Sequence, residues 1–423
     1  MRAAIFAGVA ALLIAATASA GPGRSIDVRS TLPAWLAPGA PFTVTGFAGS
    51  RVTVEALVDG RPVATVRSGR FGRFLLHAVA PGTGRHQVSI HADGTRQGAG
   101  TLVVRPVTLA AVGDVTPGEQ VGPAVEAHGG AYPWAEVGAA LRRADIMTAN
   151  LEGAVTTRGV AAVKQYRFRG PAALLTGARA FAGLDVVTVA NNHSLDFGAV
   201  GLADTLAAAH AAGIATVGGG ADEAVARRPA FIESGGLRIA FLGYSDVNPP
   251  GFAAGPSSAG TARADPTAIT ADVRVARRHA DLVVVWFHWG VELHPSPDAR
   301  QVSLAAAALD AGASVVLGAH PHVLGPVGQP RRHTLVAWTL GNFVFPSGPG
   351  ATRRTAILDV RLTKRGVAGY DLVPARSGTQ PTLAPQRTMT TAGRLPTMEG
   401  CFASYASPTS SSFGRPSSSS TRA

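Results

Sequence analysis

The chain has 423 residues, 46% of them hydrophobic and 15% charged, which is enough apolar material for one large core with a smaller companion and excludes a disordered or fibrous chain. The net charge of +12 falls on scattered arginine pairs (Arg142-Arg143, Arg227-Arg228, Arg277-Arg278, Arg331-Arg332, Arg353-Arg354), without a long basic run or interleaved aromatics, and this argues against a nucleic-acid binder. A single cysteine, Cys401, excludes an intrachain disulfide, so stability must come from packing.

Met1-Arg2, an apolar run over 3–16 and then Ala18-Ser19-Ala20 have the charged, apolar and small-residue regions of a secretory signal peptide over 1–20, with cleavage expected after Ala20. The alternative is an uncleaved N-terminal anchor, for which the run is short against the roughly 20 residues that span a bilayer. Gly21 stands where a lipoprotein would need cysteine, and no later stretch is apolar enough to span. The expectation is an exported protein, extracellular or in the cell envelope, whose acidic partner is an anionic surface polymer.

After a linker over 21–35, the segment 36–105 shows short alternating runs at 42–45, 52–58, 63–66, 74–79 and 87–90, punctuated by Asp59-Gly60 and Pro81-Gly82. It reads as a small all-β sandwich of the immunoglobulin-like kind, with His77, His86 and His91 on its surface. From 107 to 374 the pattern becomes α/β: strands at 107–112, 146–149, 186–190, 214–217, 239–243, 282–288, 315–318 and 335–340 alternate with helices near 134–144, 172–182, 200–211, 271–280 and 299–311. Two antiparallel strands, 356–362 and 367–373, close the sheet edge. Residues 375–423, rich in Ser, Thr, Pro and Arg, are expected to be disordered.

Polar groups stand where the apolar strands run out. The first strand ends in Gly113-Asp114, the second in Asn150-Leu151-Glu152 and the third in Asn191-Asn192-His193. Later ones end in His288-Trp289-Gly290-Val291-Glu292 and Gly318-Ala319-His320-Pro321-His322. Read as the carboxyl ends of one parallel sheet, they bring acids, amides and imidazoles to one edge. That donor mixture suits one or two divalent ions, Mn²⁺, Fe²⁺ or Zn²⁺, which can share a carboxylate, activate water and stabilise a leaving oxygen. A histidine not bound to metal would supply the proton.

Taken together, Gly113-Asp114, Asn150-Leu151-Glu152, the run from Asn191 to Gly198, His288-Trp289-Gly290-Val291-Glu292, Gly318 to Val323 and Leu340-Gly341-Asn342-Phe343 resemble the motifs of the CapA-type capsule or poly-γ-glutamate synthesis family, over about 107–373. That family in turn resembles the calcineurin-like metallophosphoesterases. The resemblance implies a four-layer α/β/β/α sandwich of two sheets flanked by helices. It further implies that Asp114 and His322 bind a first metal, that Glu152 bridges, and that Asn192, His288 and His320 bind a second. His193 would be the proton donor, with Asp196 or Glu292 orienting an imidazole, Asn150 orienting Glu152, and Asn191 and Asn342 supporting the site. Two departures stand out: Thr116 replaces the histidine usual two residues after the first aspartate, and the bridge is a glutamate rather than an aspartate.

The resemblance implies an exported, metal-dependent hydrolase-like protein acting on or with an anionic polymer such as poly-γ-glutamate, in contact with a polymer synthase. The competing readings are a phosphoesterase acting on phosphorylated envelope precursors and a non-catalytic scaffold that holds the polymer. Lys164 and Arg169 precede a helix start and face either an anionic substrate or solvent.

Overall fold

The computed structural model describes residues 25–385; the expected signal peptide and the segment from 386 onward lie outside them. Two sheets carry the α/β part. In the first, strands run in the order Ala215–Val217, Leu184–Thr188, Ile146–Leu151, Val107–Val115, Arg354–Thr363, Gly366–Arg376 and Thr382–Leu383, with Asn342–Val344 against the end of Val107–Val115. The first four are parallel and the last three antiparallel. The second sheet has the order Ala230–Ser234, Leu237–Ser245, Leu282–His288, Val315–Ala319, Leu335–Ala337 and Val327–Gly328.

The strands are apolar on both faces because both faces are covered. Leu109, Ala111 and Ile146 of the first sheet pack against Ile239, Val284, Trp286 and Leu317 of the second, and the Trp286 indole donates to Thr148 Oγ1 across the seam at 2.9 Å. The alternate residues Ala110, Val112 and Met147 face helical segments carrying Val121, Leu141, Leu174 and Leu202. On the far side, Ala240, Val283 and Val285 face Ile269 and Val273 of Pro266–His279 and Leu304 and Ala308 of Ala299–Ala311. Each of these two helices has an aspartate at its start, Asp265 and Asp298, accepting a backbone N–H of the first turn. No helix among the described residues is long and apolar enough to cross a membrane.

The N-terminal part is all-β, with a three-stranded and a five-stranded sheet. It meets the rest at the amino ends of the parallel strands. Arg105 reaches both carboxylate oxygens of Asp145 at 2.7 Å while lying 3.6 Å over the Trp35 ring. Ala37 N–H donates to Gly235 O at 2.8 Å, and Lys364 N–H to Pro38 O at 3.1 Å.

Several elements differ from expectation. The strand ends belong to two sheets, not one. The helix expected near 134–144 is broken into Tyr132–Trp134 and Gly138–Leu141, where a Cβ on Gly138 would lie 2.4 Å from Phe181 O and side-chain bulk is excluded. The helix near 172–182 changes pitch after Gly177. Strands Thr95–Val104 and Ala230–Ser234 and the helix Val121–His128 are additional. Residues 375–385, placed in the tail by composition, are ordered, since the Gly366–Arg376 strand runs on and Thr382–Leu383 pairs with it.

Candidate metal centre

The structure brings Asp114, Glu152, Asn192, His288, His320 and His322 together at the carboxyl ends of both sheets. Asp114 closes the Val107–Val115 strand, and Glu152 and Asn192 follow neighbouring strands of the first sheet. His288 ends the Leu282–His288 strand and His320 follows Val315–Ala319 in the second. The site therefore straddles the seam between the sheets. Gly113 is required beneath it: a Cβ there would stand 1.8 Å from Gly341 O, whose carbonyl accepts Asp114 N–H at 2.9 Å.

Glu152 is central. Its Oε1 lies 3.7 Å from His288 Nε2, 3.9 Å from His322 Nε2 and 4.0 Å from His193 Nε2. Asp114 Oδ2 is 3.3 Å from His322 Nδ1, Asn192 Oδ1 is 2.8 Å from His288 Nε2, and the His288 and His320 rings are 4.8 Å apart. Two groups have donor atoms within 4.8 Å of one another: Glu152 with His320 and His322, and Asp114 with Glu152 and His288. Both include Glu152, the position of a bridge. The resemblance pairs the others differently, Asp114 with His322, 3.3 Å apart, and His288 with His320, whose ring centres are 4.8 Å apart.

Whether a cation fits is decided by the polar atoms that lack partners. Asp114 Oδ2, both carboxylate oxygens of Glu152 and His320 Nδ1 are buried without a hydrogen bond. Buried carboxylates left so are costly unless a cation or proton reaches them. Burial, and then Asp114, drive the Glu152 carboxyl well above its usual range. Burial opposes charge on His322, but Glu152 and Asp114 outweigh it and raise the imidazole to about 10. Burial with His322 nearby lowers His320 to about 4, and burial with His320 nearby takes His288 well below its usual value. His288 and His320 are thus neutral imidazoles, and a divalent ion would take the place of the proton that Glu152 and Asp114 hold on His322; with the open carboxylate lone pairs this is a donor set that such an ion fits.

The surrounding residues hold these donors in place. Asn150 donates to Asp114 Oδ1 at 2.8 Å and lies 3.3 Å from His288 Nδ1, so it orients those two and not Glu152, as expected from the sequence. Asn191 donates to Asn150 Oδ1 and Leu151 O, and Asn342 Oδ1 is 2.8 Å from His322 Nδ1. Asp196 Oδ2 lies 2.7 Å from His193 Nδ1, which turns Nε2 toward the pocket. Glu292, the other candidate for that role, stays exposed on its loop. Thr116 Oγ1 accepts Gly118 N–H at 3.1 Å, a turn contact and not a ligand position. His320 and His322 adopt positive backbone φ, 96° and 59°, which is uncommon for non-glycine residues.

Sequence reasoning missed the contacts of two residues. Lys164, weighed as substrate-facing or solvated, donates to Asp196 Oδ1 at 2.8 Å and to Asn192 O at 2.6 Å. Phe168 stacks on His193 at 4.0 Å, and its backbone N–H donates to Asp196 Oδ2. Arg169 is exposed over Phe197.

Comparison with known proteins follows the same region. A family model described as bacterial capsule synthesis protein PGA_cap matches residues 108–347. The chain is 38% identical over 190 residues to the PGA biosynthesis protein CapA of Bacillus subtilis (strain 168), covering 45% of this chain and 50% of that one. It is 32% identical over 278 residues to the capsule biosynthesis protein CapA of Bacillus anthracis, covering 63% and 67%. The match thus spans half to two thirds of these relatives' length. Among solved structures, NAD nucleotidase (NadN) of Haemophilus influenzae superposes with a TM-score of 0.37 at 12% identity, over 66% of this chain and 58% of that one.

Proposed function

Because the chain belongs to the bacterial capsule synthesis family PGA_cap, we propose that it serves the making of an anionic capsule polymer of the poly-γ-glutamate kind through a one- or two-metal hydrolytic site. The observation that carries the catalytic half of this reading is the set of buried, unpartnered carboxylate oxygens on Asp114 and Glu152 among imidazoles. Asp114 and His322, with Glu152 between, would hold one ion; Asn192, His288 and His320 would hold the other. A divalent ion there supplies Lewis acidity toward water and the leaving oxygen. The chain's own residues do the rest. Asn150 and Asn342 fix ligand orientation, Asp196 fixes the His193 ring, and His193 Nε2 presents a proton to the departing group. Burial keeps His193 below its usual pKa despite Asp196, so at neutral pH the ring is neutral with its proton on Nδ1, and Nε2 would take the proton released by the attacking water and pass it to the departing group.

We read the two-sheet layering with its outer helices as metallophosphoesterase-like and the N-terminal sheets over 36–105 as an immunoglobulin-like unit. The segment 1–20 supports export, and a mature protein beginning at Gly21 is the expected result of N-terminal sequencing; one beginning at Met1 would mean retention or an uncleaved anchor.

The test is elemental analysis of the purified chain, with turnover measured on a γ-glutamyl oligomer and on a phosphodiester. His320→Ala is expected to lower bound metal while circular dichroism stays unchanged. Cleavage of the phosphodiester alone would move the reading to envelope phosphoesters. A protein that takes up no transition metal from excess Mn²⁺ or Zn²⁺ sinks the hydrolytic reading and leaves a scaffold.

A further inference from the structure

A second charged feature lies at the same edge of the first sheet, on the two strands that follow that of Asp114 in the sheet order. Arg354 opens the Arg354–Thr363 strand, Arg376 ends Gly366–Arg376, and the register sets the two directly opposite each other. Like charges at opposed positions of an antiparallel pair are destabilising. Arg353 adjoins them from the turn before the strand. All three residues line one cavity of about 360 Å³, whose other walls include Pro349, Pro374 and Ala384. Among the described residues no carboxylate stands within ion-pair distance of the three guanidiniums. Further along this hairpin the chain behaves differently, giving Arg361 an ion pair with Asp371. Arg105, Arg227 and Arg300 likewise have aspartate partners.

The cavity is joined to the metal centre. His322 Nδ1 meets Asn342 Oδ1 at 2.8 Å, Asn342 donates to Ser347 Oγ at 3.1 Å, Ser347 Oγ lies 2.7 Å from Ser377 Oγ, and the Ser377 hydroxyl donates to Thr352 O at 3.0 Å. Ser377 follows Arg376 and Thr352 precedes Arg353, so a short hydrogen-bonded chain links the backbone next to the arginines to a candidate metal ligand.

We propose that Arg353, Arg354 and Arg376 form an anion subsite that holds the carboxylates of a polyanionic chain whose neighbouring unit lies at the metal centre. The choice of a polycarboxylate rests on the function proposed above; the presence of an anion site does not. Planar guanidiniums bind carboxylates through paired N–H donors, and an anion between Arg354 and Arg376 removes their mutual repulsion. The chain's own segment after residue 385 is a poor occupant, since it carries Arg387, Arg394, Arg415 and Arg422 against the single acidic side chain of Glu399.

The experiment is fluorescence anisotropy of a labelled γ-linked glutamate oligomer with the full chain. Arg354→Gln combined with Arg376→Gln is expected to weaken binding by about tenfold or more, which is about 1.4 kcal/mol. Removing the same charge from the N-terminal sheets, with Arg85→Gln and Arg96→Gln, is expected to leave affinity nearly unchanged. Equal loss in both variants, or none in the cavity variant, overturns the proposal. So does a short polyphosphate that binds where the glutamate oligomer does not. Without ligand the cavity variant should melt no lower than the parent, because a repulsive pair has been removed; a large drop would mean that the arginines serve the fold. Metal content of the cavity variant should match the parent, so a chain that proves metal-free would end the hydrolytic reading and leave this one standing.

Discussion

Replacing Glu152 with glutamine is expected to stabilise the metal-free protein and to abolish most of the stabilisation that metal gives. Burial and the neighbouring Asp114 raise the Glu152 carboxyl in the folded state. A raised carboxyl binds more protons folded than unfolded between its unfolded and folded values, so stability falls as pH climbs through that window and stays low above it. At neutral pH the metal-free parent bears that loss, which glutamine removes. The gain is read as a higher melting temperature of the variant than of the parent in chelator. Asp114 and His322, 3.3 Å apart, then remain as a balanced pair. Metal reverses the order: at a hundredfold excess over Kd a bound ion adds about 2.7 kcal/mol to the parent, and the variant gains little of it. Melting curves with chelator and with Mn²⁺ should therefore cross. A variant that gains as much from Mn²⁺ as the parent does would show that Glu152 is not a ligand.

The second large effect is expected at His193. His193→Ala should lower kcat by about 10² to 10⁴, the range for losing a positioned proton donor, with metal content unchanged. Phe168 packs on the ring and Asp196 holds Nδ1, so the alanine variant also leaves a cavity. His193→Gln fills that space, and the same loss of rate in both variants separates proton transfer from packing. Activity close to the parent's in either would leave His193 as a structural residue.

Much of this site was legible because buried strands have no use for polar ends. Asp114, Glu152, Asn192, His288, His320 and His322 each follow an apolar run, and the structure does bring them together. The division into two sheets was not legible from the strands themselves. A strand covered on both faces, such as Leu282–His288, is continuously apolar and carries no mark of which sheet it joins. Two hairpins were announced and passed over: Asp93-Gly94 before Thr95–Val104, and Gly235-Gly236 between Ala230–Ser234 and Leu237–Ser245. Asn150 was assigned to the wrong carboxylate because its partner, Asp114, sits across the strand pair and not along the chain. Lys164 looked like a solvated loop charge because nothing nearby in sequence marks the loop as folding back onto Asp196. Glu292 follows His288 at a suggestive interval, yet its loop turns the carboxylate outward.

The attachment of the N-terminal sheets has a consequence for orientation. Arg105, Ala37 and Pro38 grip the floor of the two-sheet body, at the amino ends of its parallel strands, while the metal ligands stand at the opposite ends. The N-terminal sheets act as a pedestal. If the amino terminus is fixed to any surface, the mouth of the site and its arginine rim point away from it, toward a chain arriving from the far side.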